Sequence, residues 1–154
     1  MDPKKKQAEP RAGIVPYLWH EEKEDYIYMF MVPSVAKYGG PHIQIAKGKI
    51  DKGENAFQAA IREGTEELGL IHSNMAEKPF EVSKFLQSTM KDQYYMQVYA
   101  VEIKDKKNFN KPHFETKFTT WTTNQRFQEI GRKSHRIIVA ELDSILKAGL
   151  KKTF

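Results

Sequence analysis

The sequence predicts an α/β fold in which a mixed sheet is covered by helices on both faces. Three observations carry that prediction. Apolar and aromatic runs, bounded by charged or Gly/Pro-containing turns, recur along the chain as strands do. Between them, AFQAAIREGTEEL (56–68) follows a helical period rather than a strict alternation. A second helical pattern closes the chain, where Ile137, Ile138, Glu141, Leu142 and Ile145 recur at three- and four-residue spacing. Strands, a helix, more strands and a terminal helix pack most simply as layers about one sheet.

The elements follow in order. Residues 1–10, MDPKKKQAEP, read as a flexible basic arm, and residues 11–154 as a single domain. GIVPYLWH (13–20) and DYIYMFMV (25–32) flank the charged turn EEKE and form a hairpin. A Gly-Gly-Pro loop at 39–41 leads into HIQIA (42–46), the next strand. A helix then begins at Asn55 or Glu54 and stops at Gly69. IHSNMAEKP (71–79) is loop, and FEVSKFLQSTM (80–90) and QYYMQVYAVEI (93–103) are strands. KDKKNFNKP (104–112) is a polar connection. FETKFTTWTT (114–123) alternates as a strand, RFQEI (126–130) makes a helical turn, and Ser134 caps the last helix.

Composition sets limits on function. At 154 residues the chain suffices for one domain with its own core, and its 40% hydrophobic and 12% aromatic content fits a folded protein. Cysteine is absent, which excludes disulfides, thiolate zinc sites and a cysteine nucleophile. The five histidines (20, 42, 72, 113, 135) show no short ligand spacing, so no zinc site is expected. The N-terminal stretch lacks an apolar core, and no apolar run approaches the ~18–20 residues of a membrane span. A cytoplasmic location without membrane attachment is therefore expected. A formal charge of +5 and a pI near 9.2 favour polyanionic partners.

The densest chemistry lies between Gly48 and Leu70, GKIDKGENAFQAAIREGTEELGL. At ~100° per residue Phe57, Ile61, Gly64 and Leu68 share one side of the helix. Glu63, Glu66 and Glu67 share another face at i,i+3 and i,i+4 spacing, where Cβ atoms stand ~5–6 Å apart. Each pair repels by roughly 2–3 kcal/mol at an effective dielectric near 20. A hard divalent cation removes that penalty, because carboxylate oxygens are the ligands Mg²⁺ prefers. Arg62 can hold Glu54 or Glu63 with its fork of donors, or pair with Glu66 one turn on. Gly48 and Gly53 suit a tight loop with close backbone approach. Gly64 is unusual within a helix, where glycine costs roughly 1 kcal/mol relative to alanine. It implies either a helix lying close to its sheet or a neighbouring side chain filling the gap.

Taken together these residues read G-x5-E-x7-R-E-x-x-E-E-x-G. The seven fixed identities arise by chance at ~10⁻⁹ to 10⁻⁸ per starting position. The pattern resembles the Nudix box, the signature of hydrolases that cleave a nucleoside diphosphate linked to another moiety. The resemblance implies an α/β/α sandwich with the box as a loop-helix-loop beside the sheet. It implies Mg²⁺ or Mn²⁺ held by Glu63, Glu66 and Glu67, with the Lys47 backbone carbonyl as a further ligand. Glu115 stands six residues before Trp121, a spacing seen in a late strand of the family. That makes it an additional metal ligand or the general base, the other candidate base being Glu63. Gly48, Lys49, Lys52 and Arg11 are the expected phosphate contacts, although Arg11 could equally be surface charge.

The family's W-x-x-P-x-G lead-in is here Ile43–Gly48, without its tryptophan and proline. Lys47-Gly48 is most similar to the Lys-Gly pair of dinucleoside polyphosphate hydrolases, while Leu86, Gln87 and Ser88 match no downstream subfamily marker. The expected substrate is a nucleotide: a dinucleoside polyphosphate, ADP-ribose, a nucleotide sugar or a dNTP. A nucleotide-binding module without catalysis is the alternative in another class. An RNA 5′ end is a further partner that the basic charge suggests, and a homodimer one that the resemblance admits.

Overall fold

The computed structural model describes residues 10–88 and 93–152, so nearly all of the expected N-terminal arm lies outside the described residues. Strand β1 (Arg11–His20) turns through Glu21–Glu24 into β2 (Asp25–Pro33), the hairpin that the sequence predicts. Glu24 adopts a positive φ of 47° in that turn. Strand β3 (Ala46–Lys49) precedes helix α1 (Ala56–Leu68). Strands β4 (Phe80–Ser88), β5 (Gln93–Glu102) and β6 (Thr116–Thr122) follow, and helices α2 (Asn124–Ile130) and α3 (Lys133–Lys152) close the chain. Among the described residues no helix is long and apolar enough to cross a membrane.

The strands form one mixed sheet of order β4-β5-β1-β2-β6. β5 runs parallel to β1 along its length, while the other edge of β1 is divided. Its first half, Arg11–Ile14, pairs with β3, and its second half, Tyr17–His20, pairs with β2. The sheet thus opens between β3 and β2, and among the described residues only the Met31–Gln44 bridge crosses that opening.

Alternation along the strands sorts the core into two layers. Val15, Tyr17, Tyr28, Phe30, Val98 and Ala100 face α2 and α3, where they meet Phe127, Ile138, Val139 and Leu142. The Phe30 and Phe127 rings stack at 4.2 Å between centroids. Ala12, Ile14, Met29, Met31 and Val101 face α1 and meet Ala59, Ala60 and Leu68. This is the expected α/β/α sandwich. Buried Tyr28 ties α3 to the hairpin by donating its hydroxyl to Asp143 at 2.6 Å, and Lys147 bridges Asp143 and Asp25.

Three local expectations are corrected. HIQIA is not itself the strand. Its Ile43 and Gln44 make isolated bridges to Gly131 and Met31, and the ladder to β1 begins only at Ala46. Ser134 does not cap α3, because the helix already begins at Lys133. β6 starts at Thr116, so Glu115 lies in the turn before the strand rather than within it.

Candidate active site

Helix α1 is bounded as its residues dictate. Asn55 caps it by accepting from Gln58 N–H, and the Gln58 side chain in turn accepts from Asn55 N–H, a capping box that satisfies two end donors. At the other end Gly69 takes φ 75°, and its N–H closes on the Gly64 and Thr65 carbonyls. A Cβ at Gly69 would overlap the Asn110 carbonyl, so glycine is also required there by space. Gly64 brings the helix close to the sheet: a methyl there would meet Ile14 Cγ2 at 2.8 Å and Leu70 Cδ2 at 3.1 Å. Both readings of Gly64 hold, since the helix lies close and Leu70 fills the space beside it.

The helix faces the sheet differently from the expectation. Phe57 and Ile61 are only half-buried, whereas Ala56, Ala59, Ala60, Glu63, Gly64, Glu67 and Leu68 are buried. Two of the three carboxylates therefore turn inward, and Glu66 alone stays exposed. Gly48 explains how this is tolerated, because any side chain there would overlap the Glu63 carboxylate. Bare backbone on β3 makes the recess into which the carboxylates point.

Burial and repulsion both act on Glu67. The Glu67 carboxyl is pushed up to about 9, first by burial and then by its hydrogen bond to Glu63 and that residue's charge. Without a cation, Glu67 therefore keeps its proton at neutral pH. A hydrogen bond from the Lys47 backbone and the Lys47 charge pull the other way.

Arg62 organises the loop before the helix. Its Nε and Nη2 donate to Glu54 at 2.7–3.2 Å, Nη1 to Glu63 at 2.9 Å, and Nη2 to the Lys49 carbonyl at 2.9 Å. Asp51 at 3.4 Å and Glu66 at 3.5 Å complete the surroundings. All three expected partners are present at once. These hydrogen bonds hold the Glu54 carboxyl below its usual range. Arg62 thus positions Glu63 and pins the 49–54 loop, while Gly53 turns that loop at φ 89°.

The structure brings the remaining expected residues to different distances from this centre. Glu115 is exposed, yet its segment is stitched to α1: His113 N–H donates to Glu66 O at 2.7 Å, and Thr116 Oγ1 donates to Glu67 O at 2.8 Å. Lys49 and Lys52 are exposed, on the end of β3 and in the loop after it. Arg11 and Lys47 are half-buried, and register places Arg11 opposite Lys49 and Gly13 opposite Lys47. Leu86, Gln87 and Ser88 fall where side chains lie outside the described residues. Sequence reasoning gave no site role to Arg132 and His135, which return from the start of α3 to the 43–45 segment before β3, with no motif to mark them.

The donor set fits a hard divalent cation. Two buried carboxylates oppose each other, the third lies one turn away, and a glycine bares the backbone beside them. Among the described residues no three His, Asp or Glu side chains already stand as a finished cage, since Glu66 lies out on the Arg62 flank.

A family model described as NUDIX domain matches residues 9–142. No curated protein sequence matches the chain. Several solved structures share its fold. An Ap4A hydrolase of C. elegans, solved as a binary complex, is 16% identical with a TM-score of 0.76, over 92% of this chain and 99% of that one. The NUDIX domain of Shewanella oneidensis NrtR, complexed with ADP ribose, is 12% identical with a TM-score of 0.68, over 95% and 94%. A MutT protein from Methanosarcina mazei Go1 is 11% identical with a TM-score of 0.65, over 92% and 97%.

Proposed function

Since the chain belongs to the NUDIX domain family, whose hydrolases act on pyrophosphate bonds, we propose that it cleaves a nucleoside diphosphate linked to another moiety by direct attack of water on phosphorus. The observation that carries this reading is the buried Glu63–Glu67 pair facing Gly48, with Arg62 locking Glu63 in place. Mg²⁺ or Mn²⁺ held by Glu63, Glu66, Glu67 and the Lys47 carbonyl would neutralise phosphate charge and acidify water there.

The protein's own residues supply the rest. Glu63 or Glu115 accepts the proton of the attacking water. The new P–O bond forms as the bridging P–O bond breaks, and the departing phosphate leaves with the electron pair. No covalent bond to the enzyme is needed. Arg62 keeps Glu63 oriented and the 49–54 loop closed against the helix. Lys49, Lys52 and Arg11 offset the remaining phosphate charge.

Among substrates the Lys47-Gly48 pair favours dinucleoside polyphosphates over ADP-ribose, nucleotide sugars and dNTPs. The reading extends to a cytoplasmic protein working on a soluble nucleotide, and it admits a homodimer and a 5′-triphosphate RNA end. A screen across these substrates with Mg²⁺, products resolved by chromatography, tests it. We expect a mononucleotide product from at least one, lost on adding EDTA. Saturable binding of ADP-ribose with no product from any substrate would instead identify a binding module.

A further inference from the structure

Beside the carboxylate recess, on the opposite face of the sheet, half-buried cations gather. Arg11 pairs with Lys49 and Gly13 with Lys47, so period-two alternation puts Arg11 and Lys47 on one face. Gly13 lets β3 approach β1 closely here, because a Cβ at Gly13 would meet the Ala46 carbonyl oxygen at 2.8 Å, with Ile45 Cγ2 and Lys47 Cβ next at 3.1 and 3.2 Å. Arg132 arrives from the far end of the chain. Its N–H donates to Ile43 O at 2.9 Å, and its Nη1 donates to Gln44 Oε1, a neutral partner, at 3.2 Å. Among the described residues no carboxylate pairs with Arg132.

One turn on, His135 is fully buried. Its Nδ1 accepts from Ile45 N–H at 3.1 Å, which places the proton of the neutral ring on Nε2. Among the described residues Nε2 has no partner. A buried donor left unpaired is rare and marks a place where an acceptor from outside, or a water, belongs.

We propose that Arg132, Lys47 and Arg11, with the His135 Nε2–H at their floor, form a second phosphate subsite, which takes a phosphate group remote from the one attacked. The proposal rests on the pyrophosphohydrolase reading and narrows it to substrates whose phosphate chain is longer than two, nucleoside or dinucleoside polyphosphates. β3 thus carries Lys47 on one face and, at the next residue, the bare Gly48 backbone that faces Glu63 on the other. Burial and the charges of Arg132 and Lys47 keep His135 neutral, so it serves as a donor at any physiological pH.

Two measurements on the full chain test this. With EDTA present, inorganic tripolyphosphate is titrated calorimetrically into the wild type, R132Q and R132K, thermal melts having verified that each is folded. We expect R132Q to bind about tenfold more weakly and R132K to recover part of the loss. Equal binding by R132Q and the wild type would overturn the subsite. With Mg²⁺, the kcat/KM ratio of a tetraphosphate-bridged to a diphosphate-bridged dinucleotide should fall about tenfold in R132Q, mainly through KM. If the wild type cleaves both and R132Q lowers both alike, the hydrolase reading stands and the subsite falls. If the wild type cleaves neither yet binds tripolyphosphate through Arg132, the subsite stands and the hydrolase reading falls.

Discussion

Replacing Glu67 with glutamine should change how the metal-free protein's stability depends on pH. The Glu67 carboxyl, ordinarily near 4.5, is raised to about 9 in the folded chain. Between those values the native state binds the proton that the unfolded state releases. Stability is therefore greatest below about pH 4.5 and falls as pH rises through the window toward 9. The limiting slope is about 1.4 kcal/mol per pH unit, so moving from pH 5.5 to 7.5 costs up to about 3 kcal/mol. For a chain of this size that corresponds to about 5–10 °C in Tm. Lys47, lowered to about 8, begins to lose its proton only at the top of this range and there slightly opposes the slope. Glutamine keeps the shape and cannot ionise, so Glu67→Gln lacks this term. Urea unfolding of both proteins in EDTA measures it: the variant's stability relative to wild type should rise by about 2–3 kcal/mol from pH 5.5 to 7.5. Parallel curves would refute the claim that these carboxylates are forced together.

The other substitutions probe the supports of the site. Gly48→Ala intrudes on the Glu63 carboxylate, so turnover should drop by on the order of 10²-fold while stability changes by about 1–3 kcal/mol; near-normal steady-state rates would contradict the recess. Arg62→Lys offers one ammonium where Glu54, Glu63 and the Lys49 carbonyl share a fork, and Mg²⁺ affinity should weaken by about 10–100-fold in a direct titration. Tyr28→Phe removes the hydroxyl on buried Asp143 far from the carboxylates, and should lower stability by about 1–3 kcal/mol in urea without altering kcat.

Legibility from sequence followed the range of the interactions. The Asn55 cap, the Gly69 stop and the Arg62 contacts connect residues within a few turns of one another, and local spacing was enough to read them. The hairpin and the two-layer core follow from alternation, which needs no distant partner. The inward turn of Glu63 and Glu67 was not readable from the helix, whose apolar count pointed to Phe57 and Ile61. It depends on Gly48, which lies on a different element and makes room only once β3 pairs with β1. HIQIA has the alternation of a strand, but the divided edge of β1 leaves its first residues to Met31 and Gly131. Arg132 and His135 reach the 44–45 segment ahead of β3 from about 90 residues away, and no spacing rule connects them to it.

The central claim is that the Glu63–Glu67 recess is a metal-dependent hydrolytic centre at which water attacks phosphorus directly. Turnover of a dinucleoside polyphosphate in ¹⁸O-labelled water, with mass analysis of both products, tests it most directly. The account predicts one labelled oxygen on a phosphate of one product only, formation that requires Mg²⁺ or Mn²⁺, and a rate lowered by on the order of 10²-fold or more in Glu67→Gln. Product formation at the wild-type rate by Glu67→Gln, or in EDTA, would contradict it.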